Sequence, residues 1–270
     1  MRQYVVDAFT DEPFGGNPAA VCVMEAWPSD ELMRDIAIEN NLSETAFAVK
    51  ERGEGEDLYH LRWFTPAGEI DFCGHATLAT SYVVHRFVAP GLSPIRFSTL
   101  GGILTVRVEG DLILMDMPTF KLSPIDVTQQ MADALGACPV EAYMGADMVC
   151  VLESAEQVRA VVPDQEIILS MEGSLLHVTA RGDGEFDCET RSFAPKHGIP
   201  EDPVCGRGHC HVASLWAGKL GRSEILAHQA SRRGGVLHCR YEGDRTILGG
   251  RAALFSIDEV LPDGIPGVEA

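Results

Sequence analysis

Two Cys-Gly pairs are the residues of this chain whose types and spacing could do chemistry. Cys73 and Gly74 precede His75 at the front of the apolar stretch DFCGHATLATSYVVH, and Cys205 with Gly206 opens a second one, EDPVCGRGHCHVASLWAG. A thiol beside an imidazole can bind a metal, attack a substrate, transfer protons or pack as a small buried side chain. Which of these applies depends on the elements that carry the two pairs.

Both pairs introduce segments that are predicted to be buried helices. Residues 74–88 and 206–221 are apolar on nearly all sides, which is typical of helices surrounded by other elements. Cys73 and Cys205 are 205 − 73 = 132 residues apart, close to half of the 270-residue chain, and each follows a β-rich segment and a turn. The pattern indicates a diverged internal duplication. We therefore predict an α+β fold of two similar domains, each a curved mixed sheet or barrel around a central helix.

The break between the predicted domains is placed at MPTFKLSP, which interrupts the strand pattern. The predicted domains are residues 1–118 and 119–270, with the last strand as a candidate to return to the first domain. Within the first domain, Ser29 is predicted to cap a helix, and Glu44 to begin the strand ETAFAVK.

Composition places the chain among globular proteins and narrows its partners. Hydrophobic residues make up 46% of the sequence and charged residues 23%, and the formal net charge is −19. Such an acidic chain repels nucleic-acid phosphates, so neither nucleic acid nor a membrane surface is an expected partner. The eight cysteines are scattered and no secretory signal is recognised, so we expect free thiols and a cytoplasmic protein.

The two predicted helix N-termini offer a further kind of chemistry. If the domains face each other, both helix starts would point into the cleft between them and bind an anionic group such as a carboxylate. The same partial positive charge would lower the pKa of a thiol placed there. Arg232 and Arg233 in SRRGG could add positive charge, with a solvated β-turn as the alternative.

Five motifs in a fixed order resemble one family and span most of the chain. They are VDAFTDEPFGGNPAAV, NNLSETAF, FTPAGEIDFCGHAT, RSFAPKHGIPEDPVCG and SRRGG. By these motifs the sequence is similar to the PhzF-like family, the relatives of the phenazine-biosynthesis isomerase within the diaminopimelate epimerase superfold. The resemblance implies that fold, an active site between the domains, and an isomerase that works without metal or cofactor.

The resemblance also implies roles for individual residues. Glu44 in NLSET matches the catalytic acid–base, which in the characterised enzyme type moves a proton between carbons of a small carboxylated substrate. His75 and Asp202 match polar residues around that proton path. Asn17 and Gly74 match positions that line the pocket.

The position after Cys205-Gly206 departs from the family pattern, in which a serine often stands. Arg207 exchanges a small hydroxyl for a long cation, so it either turns outward or contacts an extra anionic group of the ligand. Arg207 joins the predicted substrate-binding residues, together with Gly206 and Gly208.

Glu44 also has an interpretation that is independent of the family. An acid at a strand start that faces an apolar cleft loses hydration, so its pKa should rise toward neutral and suit a group that accepts and returns a proton. An exposed glutamate at a strand edge is the alternative. The corresponding alternatives are a satisfied structural histidine for His75 and a turn or capping carboxylate for Asp202.

Two other functions and a metal site remain as alternatives. Cys73 and Cys205 match the two thiols of diaminopimelate epimerase and proline racemase, which would make the chain a two-base amino-acid racemase or epimerase. A small-molecule binding protein without turnover would keep the same pocket. In CGRGHCH, Cys205 and His209 share a helix face, but no second Cys pair completes a tetrahedral set, so we predict no metal.

The sequence thus predicts a cofactor-independent isomerase of a small carboxylated metabolite, with Glu44 as general acid/base. His75, Asp202, Cys73 and Cys205 are the other catalytic candidates. The oligomeric state is left open, with a homodimer as the candidate assembly.

Overall fold

Strands and helices follow the same order in two parts of the chain. In the computed structural model, which describes residues 1–51, 53, 55 and 57–261, these parts are separate compact units. The first comprises Met1–Phe14, Pro18–Met115 and the chain from Arg251 onward, and the second comprises Gly15–Asn17 and Asp116–Gly250. The last strand therefore belongs to the first unit.

The elements of the first unit surround one helix. In chain order they are β1 (Arg2–Ala8), β2 (Asn17–Met24), α1 (Asp30–Asn40), β3 (Glu44–Lys50), β4 (Leu58–Thr65), β5 (Gly68–Ile70), α2 (Gly74–Val83), β6 (Ile95–Thr99), β7 (Gly102–Glu109) and β8 (Leu112–Pro118), with β18 (Ala252–Glu259) from the end of the chain. Strand β3 pairs in parallel with β2 and antiparallel with β4, which also holds β5 and β6. Strands β6, β7 and β8 form an antiparallel meander, and β1 pairs antiparallel with β18.

Helix α2 is the centre of this unit, and nine of its ten residues are buried. Its buried hydroxyl groups are satisfied within the helix, because Thr77, Thr80 and Ser81 each donate to the carbonyl four residues earlier. The α-helical part ends at Val83 and a π-helical turn covers Val84–Val88, so the predicted helix over 74–88 is correct in place but changes type in its last turn.

The second unit is built in the same way around another helix. Its elements are β9 (Ser123–Ile125), α3 (Gln129–Leu135), β10 (Glu141–Met144), β11 (Met148–Val151), α4 (Ala155–Ala160), α5 (Gln165–Ser170), β12 (Leu176–Arg181), β13 (Cys188–Ala194), β14 (Ile199–Asp202), α6 (Gly206–Leu220), β15 (Glu224–Gln229), β16 (Gly235–Glu242) and β17 (Arg245–Gly250). Strand β12 pairs in parallel with β11 and antiparallel with β13, which also holds β14 and β15. Strands β15, β16 and β17 form the antiparallel meander.

The pairing order is therefore repeated from one unit to the other. In both, a parallel pair is followed by an antiparallel partner, a short strand, the central helix, and a strand that returns in parallel to start a meander. Each central helix starts directly after a cysteine that acts as its N-cap, Cys73 for α2 and Cys205 for α6. The predicted fold class, two similar α+β domains around central helices, is confirmed.

Helix ends follow the local sequence signals. Ser29 caps α1 by accepting a hydrogen bond from the Leu32 amide, as predicted. Helix α6 ends where Gly221 takes a φ of 66°, a conformation that glycine adopts without steric cost. The longest described helix, α6, has 15 residues, and no helix in the described ranges is long and apolar enough to cross a membrane.

Helix α6 lies so close to β12 and β13 that one position of it requires glycine. A Cβ atom at Gly208 would lie 2.8 Å from the His177 ring and 3.1 Å from Ser192 Oγ, whereas one at Gly218 on the same helix would meet nothing within 4 Å. We expect Gly208→Ala to lower the free energy of unfolding by about 1–3 kcal/mol through overpacking. Gly218→Ala should instead raise it by about 0.5–1 kcal/mol, because alanine stabilises a helix interior relative to glycine.

Urea unfolding of the two variants beside the parent protein measures both changes. Equal effects at the two positions would show that α6 does not pack against β12 and β13 as closely as the structure has it.

Candidate active site

Glu44 and His75 form a buried acid–base pair in the first unit. Glu44 is the first residue of β3, and His75 is the second residue of α2. Glu44 Oε2 lies 2.9 Å from His75 Nε2, and the two side chains are only 12% and 6% exposed. The exposed strand-edge glutamate considered from the sequence is therefore wrong for Glu44.

Cys73 completes a row of three groups. Its Sγ lies 3.6 Å from His75 Nδ1, so the imidazole stands between a thiol on one nitrogen and a carboxylate on the other. Gly74, the first residue of α2, is buried between Cys73 and His75 in the chain. The order thiol, imidazole, carboxylate is also the order that a nucleophilic cysteine would need.

The protonation of this row argues against a nucleophilic thiol. Burial and the nearby Glu44 carboxylate raise the pKa of the Cys73 thiol, and His75 offsets this only in part. Burial opposes the charged form of His75, but Cys73 and Glu44 outweigh it and raise the pKa of His75 well above its usual range. The Cys73 thiol is therefore held in its protonated form near neutral pH, and the Glu44 carboxylate favours a proton on His75.

The ligand atoms of Glu44, Cys73 and His75 all lie within 4.8 Å of one another, which is compatible with a metal ion. A thiol binds a metal as thiolate and a histidine as neutral imidazole. Since the pKa values of Cys73 and His75 are both raised, both groups must lose a proton before they bind a metal. A metal ion and protons would therefore compete for the same row of atoms.

In the second unit, Asn17 and Gln229 hold the turn that leads into α6. Asn17 is fully buried and donates to Asp202 Oδ1 at 2.9 Å and to the Val204 carbonyl at 3.1 Å. Gln229 accepts from the Cys205 amide at 2.9 Å and donates to the Asp202 carbonyl at 2.7 Å. Asn17, Asp202 and Cys205 thus lie together at this turn, and Gln229, which joins them, carried no local sequence signal.

Asp202 is a turn residue and not the cap of α6. Its Oδ1 also accepts from the Val204 amide at 3.1 Å, and the helix is capped by Cys205, whose Sγ accepts from the Gly208 amide at 3.3 Å. Burial raises the pKa of the Cys205 thiol well above its usual range, and Asp202 adds to this. The expectation that helix N-termini would lower the pKa of these thiols is wrong, because burial outweighs the helix.

Thiol reactivity follows from this burial. Of the eight cysteines only Cys138 is exposed, and all eight are free. Because thiolates are the reactive species, a disulfide reagent at neutral pH should modify one thiol quickly in the native protein and eight in denaturant. Cys138→Ser should remove the fast phase. Rapid modification of Cys73 or Cys205, located by peptide mapping, would favour thiol chemistry instead.

Arg207 is the second residue of α6, between Gly206 and Gly208, and it does not turn outward freely. Its Nε lies 2.6 Å from Asp147 Oδ2, although Asp147 is 60 residues earlier in the chain. Asp147 is fully buried and immediately precedes β11. No motif in the sequence indicated Asp147 as Arg207's partner.

Two buried histidines lie beside Asp147. His177 Nε2 is 3.5 Å from Asp147 Oδ2, and His211 Nε2 accepts from the Asp147 amide at 3.3 Å. The ligand atoms of Asp147, His177 and His211 lie within 4.8 Å of one another, so this trio could geometrically hold a metal. The guanidinium of Arg207 already occupies Asp147 and would repel a cation, which disfavours that use.

The residues of CGRGHCH that were considered as a metal site contact other groups of the protein instead. His209 Nδ1 contacts the Cys205 carbonyl at 2.8 Å and Nε2 contacts Thr190 Oγ1 at 3.2 Å, which occupies both ring nitrogens. Burial lowers the pKa of His209 to about 4, so it is a neutral, hydrogen-bonded core histidine.

Arg233, which was considered as a source of positive charge, holds the turn before β2 by donating to the Gly15 and Gly16 carbonyls.

The fold and the sequence of this chain are both similar to those of known proteins. A probable proline racemase from Agrobacterium radiobacter shares the fold at a TM-score of 0.63 and 13% identity, covering 97% of this chain and 93% of the racemase chain. The fold is therefore of the epimerase and racemase type. The family model for phenazine biosynthesis-like proteins, PhzC-PhzF, matches residues 6–257, and the chain belongs to this family.

Two similar relatives span nearly the whole chain. An uncharacterized isomerase of Pseudomonas aeruginosa is 42% identical over 252 residues, which cover 93% of this chain and 95% of the relative. The crystal structure of a PhzF-family protein from Enterococcus faecalis has a TM-score of 0.93 at 42% identity and covers 96% of this chain and 98% of that chain. The family resemblance seen in the motifs is confirmed.

Proposed function

We propose that the protein is a cofactor-independent isomerase that moves a proton between carbons of a small carboxylated substrate, with Glu44 as general acid/base. The observation that carries the proposal is the buried contact of 2.9 Å between Glu44 Oε2 and His75 Nε2. The isomerase name of the Pseudomonas aeruginosa relative supports the reaction class.

Each group of the row has a role in this reaction. Glu44 takes a proton from a carbon next to the substrate carboxylate and returns it to another carbon. His75, whose Nε2 lies 2.9 Å from Glu44 Oε2, fixes the position of the Glu44 carboxylate. The negative charge that develops on the substrate is stabilised by the backbone N–H groups at the start of α2.

A one-base reaction agrees with the chemistry of the thiols better than a two-thiol racemase does. Stereoinversion requires one thiolate and one thiol on opposite faces of a carbon, and burial raises the pKa of both Cys73 and Cys205. Cys205 Sγ also caps α6, which gives it a structural use. A binding protein without turnover is the remaining candidate, and the same experiment separates it.

The experiment starts with a screen for carboxylated metabolites that raise the melting temperature. Each hit is incubated with the protein in D2O, and mass spectrometry and NMR locate the deuterium. We expect deuterium at a carbon near the carboxylate together with an isomerised product, and no loss of rate with EDTA. Racemisation that requires both Cys73 and Cys205 would overturn the proposal in favour of the racemase. Hits that never exchange would indicate a binding protein.

A further inference from the structure

Arg207 stands at a place in α6 where a cation is unfavourable. It is the second residue after the cap Cys205, and the first turn of a helix carries a partial positive charge that stabilises anions and repels cations. The sequence also places no acidic residue in that first turn. A cation kept at this position needs a compensating contact, and the structure supplies one.

Asp147 holds one edge of the guanidinium. Asp147 Oδ2 lies 2.6 Å from Arg207 Nε, and Oδ1 lies 3.4 Å from Nη2. The carboxylate is itself fixed, since the Leu175 amide donates to Oδ1 at 3.2 Å and His177 Nε2 lies 3.5 Å from Oδ2. The fully buried carboxylate therefore sets both the position and the direction of the Arg207 side chain.

Phe120 holds the face of the same guanidinium. The Arg207 Cζ lies 5.0 Å from the centroid of the Phe120 ring, a distance typical of a cation–π contact. His211 stacks on Phe120, with ring centroids 4.6 Å apart, which fixes the aromatic ring in turn. One edge and one face of the guanidinium are thus occupied by the protein.

The opposite edge of the guanidinium is available. Within the described part of the chain, Arg207 Nη1 has no hydrogen-bond acceptor, and a third of the side chain is exposed. The Nη1 and Nη2 groups present two parallel N–H donors on this edge, which match the two oxygens of a carboxylate. A guanidinium that is held through Nε and Nη2, has no partner on Nη1 among the described residues and keeps a third of its side chain exposed is arranged to receive an anion.

The two central helices carry different side chains at the same position after the cap. Arg207 follows the cap Cys205 by two residues, as His75 follows the cap Cys73. In both units a carboxylate holds the side chain, Glu44 for His75 and Asp147 for Arg207. The second unit therefore carries a permanent cation where the first carries a titrating imidazole, which suits charge recognition and not proton transfer.

We propose that Arg207 binds a carboxylate group of a small-molecule ligand through its Nη1–Nη2 edge, and that Asp147 is the positioning residue for this contact. A carboxylate is favoured over phosphate because its two coplanar oxygens match the Nη1–Nη2 edge, and because Asp147 opposes a second negative charge on the group that Arg207 binds. The inference goes beyond the proposed function, because it concerns binding in the second unit and is measured without turnover.

Binding of sodium succinate, acetate and inorganic phosphate at matched ionic strength tests the proposal, by calorimetry and by the melting temperature. We expect the parent protein to bind carboxylate, and Arg207→Gln to weaken it about 10- to 100-fold through loss of a charged hydrogen-bond donor. Arg207→Lys should restore part of the affinity, because lysine keeps the charge but lacks the fork. Arg240→Gln, which removes a surface arginine paired with Glu242, is the matched control and should bind like the parent.

NMR of the arginine Nε–H groups separates positioning by Asp147 from a general effect on folding. Succinate should shift the Arg207 signal in the parent protein, and Asp147→Asn should reduce both the shift and the preference for carboxylate over phosphate. Unchanged carboxylate binding by Arg207→Gln, no binding by the parent, or a preference for phosphate would each overturn the inference. Proton exchange by Arg207→Gln with normal succinate binding would sink this inference alone and leave the isomerase proposal standing.

Discussion

Glu44→Gln is expected to lower the rate of proton exchange into the substrate by about 10²- to 10⁴-fold, the usual contribution of a general acid or base. Glutamine keeps the size of the side chain and can still contact His75 across the 2.9 Å gap, but its amide cannot accept a proton from carbon. The measurement is the rate of deuterium incorporation from D2O, with substrate binding followed separately. Binding should survive, because the substitution removes the base and not the pocket.

Three further variants make this result specific. Glu39→Gln applies the same substitution to an exposed residue of α1 in the same unit and should leave the rate unchanged. Glu44→Asp should retain a fraction of the activity, since the carboxylate remains but is set back by one methylene. Cys205→Ser should reduce the rate far less than Glu44→Gln. The opposite order of effects would show that the thiols transfer the proton.

The fold could be predicted where the local pattern agreed with the tertiary structure. The strand Glu44–Lys50 and the helix capped by Ser29 have clear signals, and the two helices that follow Cys73 and Cys205 are apolar on nearly all sides. The short strand Ile95–Thr99 and the strand Glu224–Gln229 were missed. These strands have five and six residues, and each is held between a parallel partner, β4 or β13, and the next strand of its meander, so short stretches of this kind leave little local signal.

The residues of the candidate site could likewise be predicted only where a local motif marks them. The Cys-Gly pairs located the starts of the two central helices, and the motif NLSET located Glu44. The partner of Arg207 was not predictable, because Asp147 is 60 residues away and meets it only after β11 pairs with β12 and α6 packs beside them. Gln229 is a similar case, since a strand that was itself missed carries it to the turn before Cys205. Contacts between residues so far apart in the sequence depend on the topology of the fold, so no residue spacing predicts them.

The two carboxylates that hold His75 and Arg207 differ in how they enter the fold. Glu44 is the first residue of β3, whereas β12, which takes the place of β3 in the second unit, starts with the apolar Leu176. The acid of the second unit comes instead from Asp147, just before the neighbouring strand β11. The two units therefore share a carboxylate contact at the second residue of the central helix, although different parts of the sheet supply the carboxylate.

Asp147→Ala is expected to lower the free energy of unfolding at pH 7 by about 1.5–3 kcal/mol, because it removes hydrogen bonds to a charged group and leaves a buried donor without its acceptor. The substitution leaves the Arg207 guanidinium uncompensated at the positive end of α6, and it leaves the Leu175 amide without its acceptor. Urea unfolding of Asp147→Ala, Arg207→Ala and the double variant forms a thermodynamic cycle. The double variant should recover part of the loss, with a coupling of about 1–3 kcal/mol.

The pH dependence shows whether this loss is electrostatic. Burial opposes the charged form of Asp147, but His177 and Arg207 outweigh it and hold its pKa below the usual range. A carboxyl with a depressed pKa in the folded state stabilises the protein above its unfolded pKa of about 3.9, and loses this contribution as the pH falls toward the folded value. The stability difference between the parent protein and Asp147→Ala should therefore be constant from neutral pH to about pH 5 and narrow below about pH 4. If the stability difference stays the same down to the lowest pH at which the protein folds, Asp147 acts through packing. In that case Asp147→Asn, which keeps the volume of the side chain, would be nearly as stable as the parent protein.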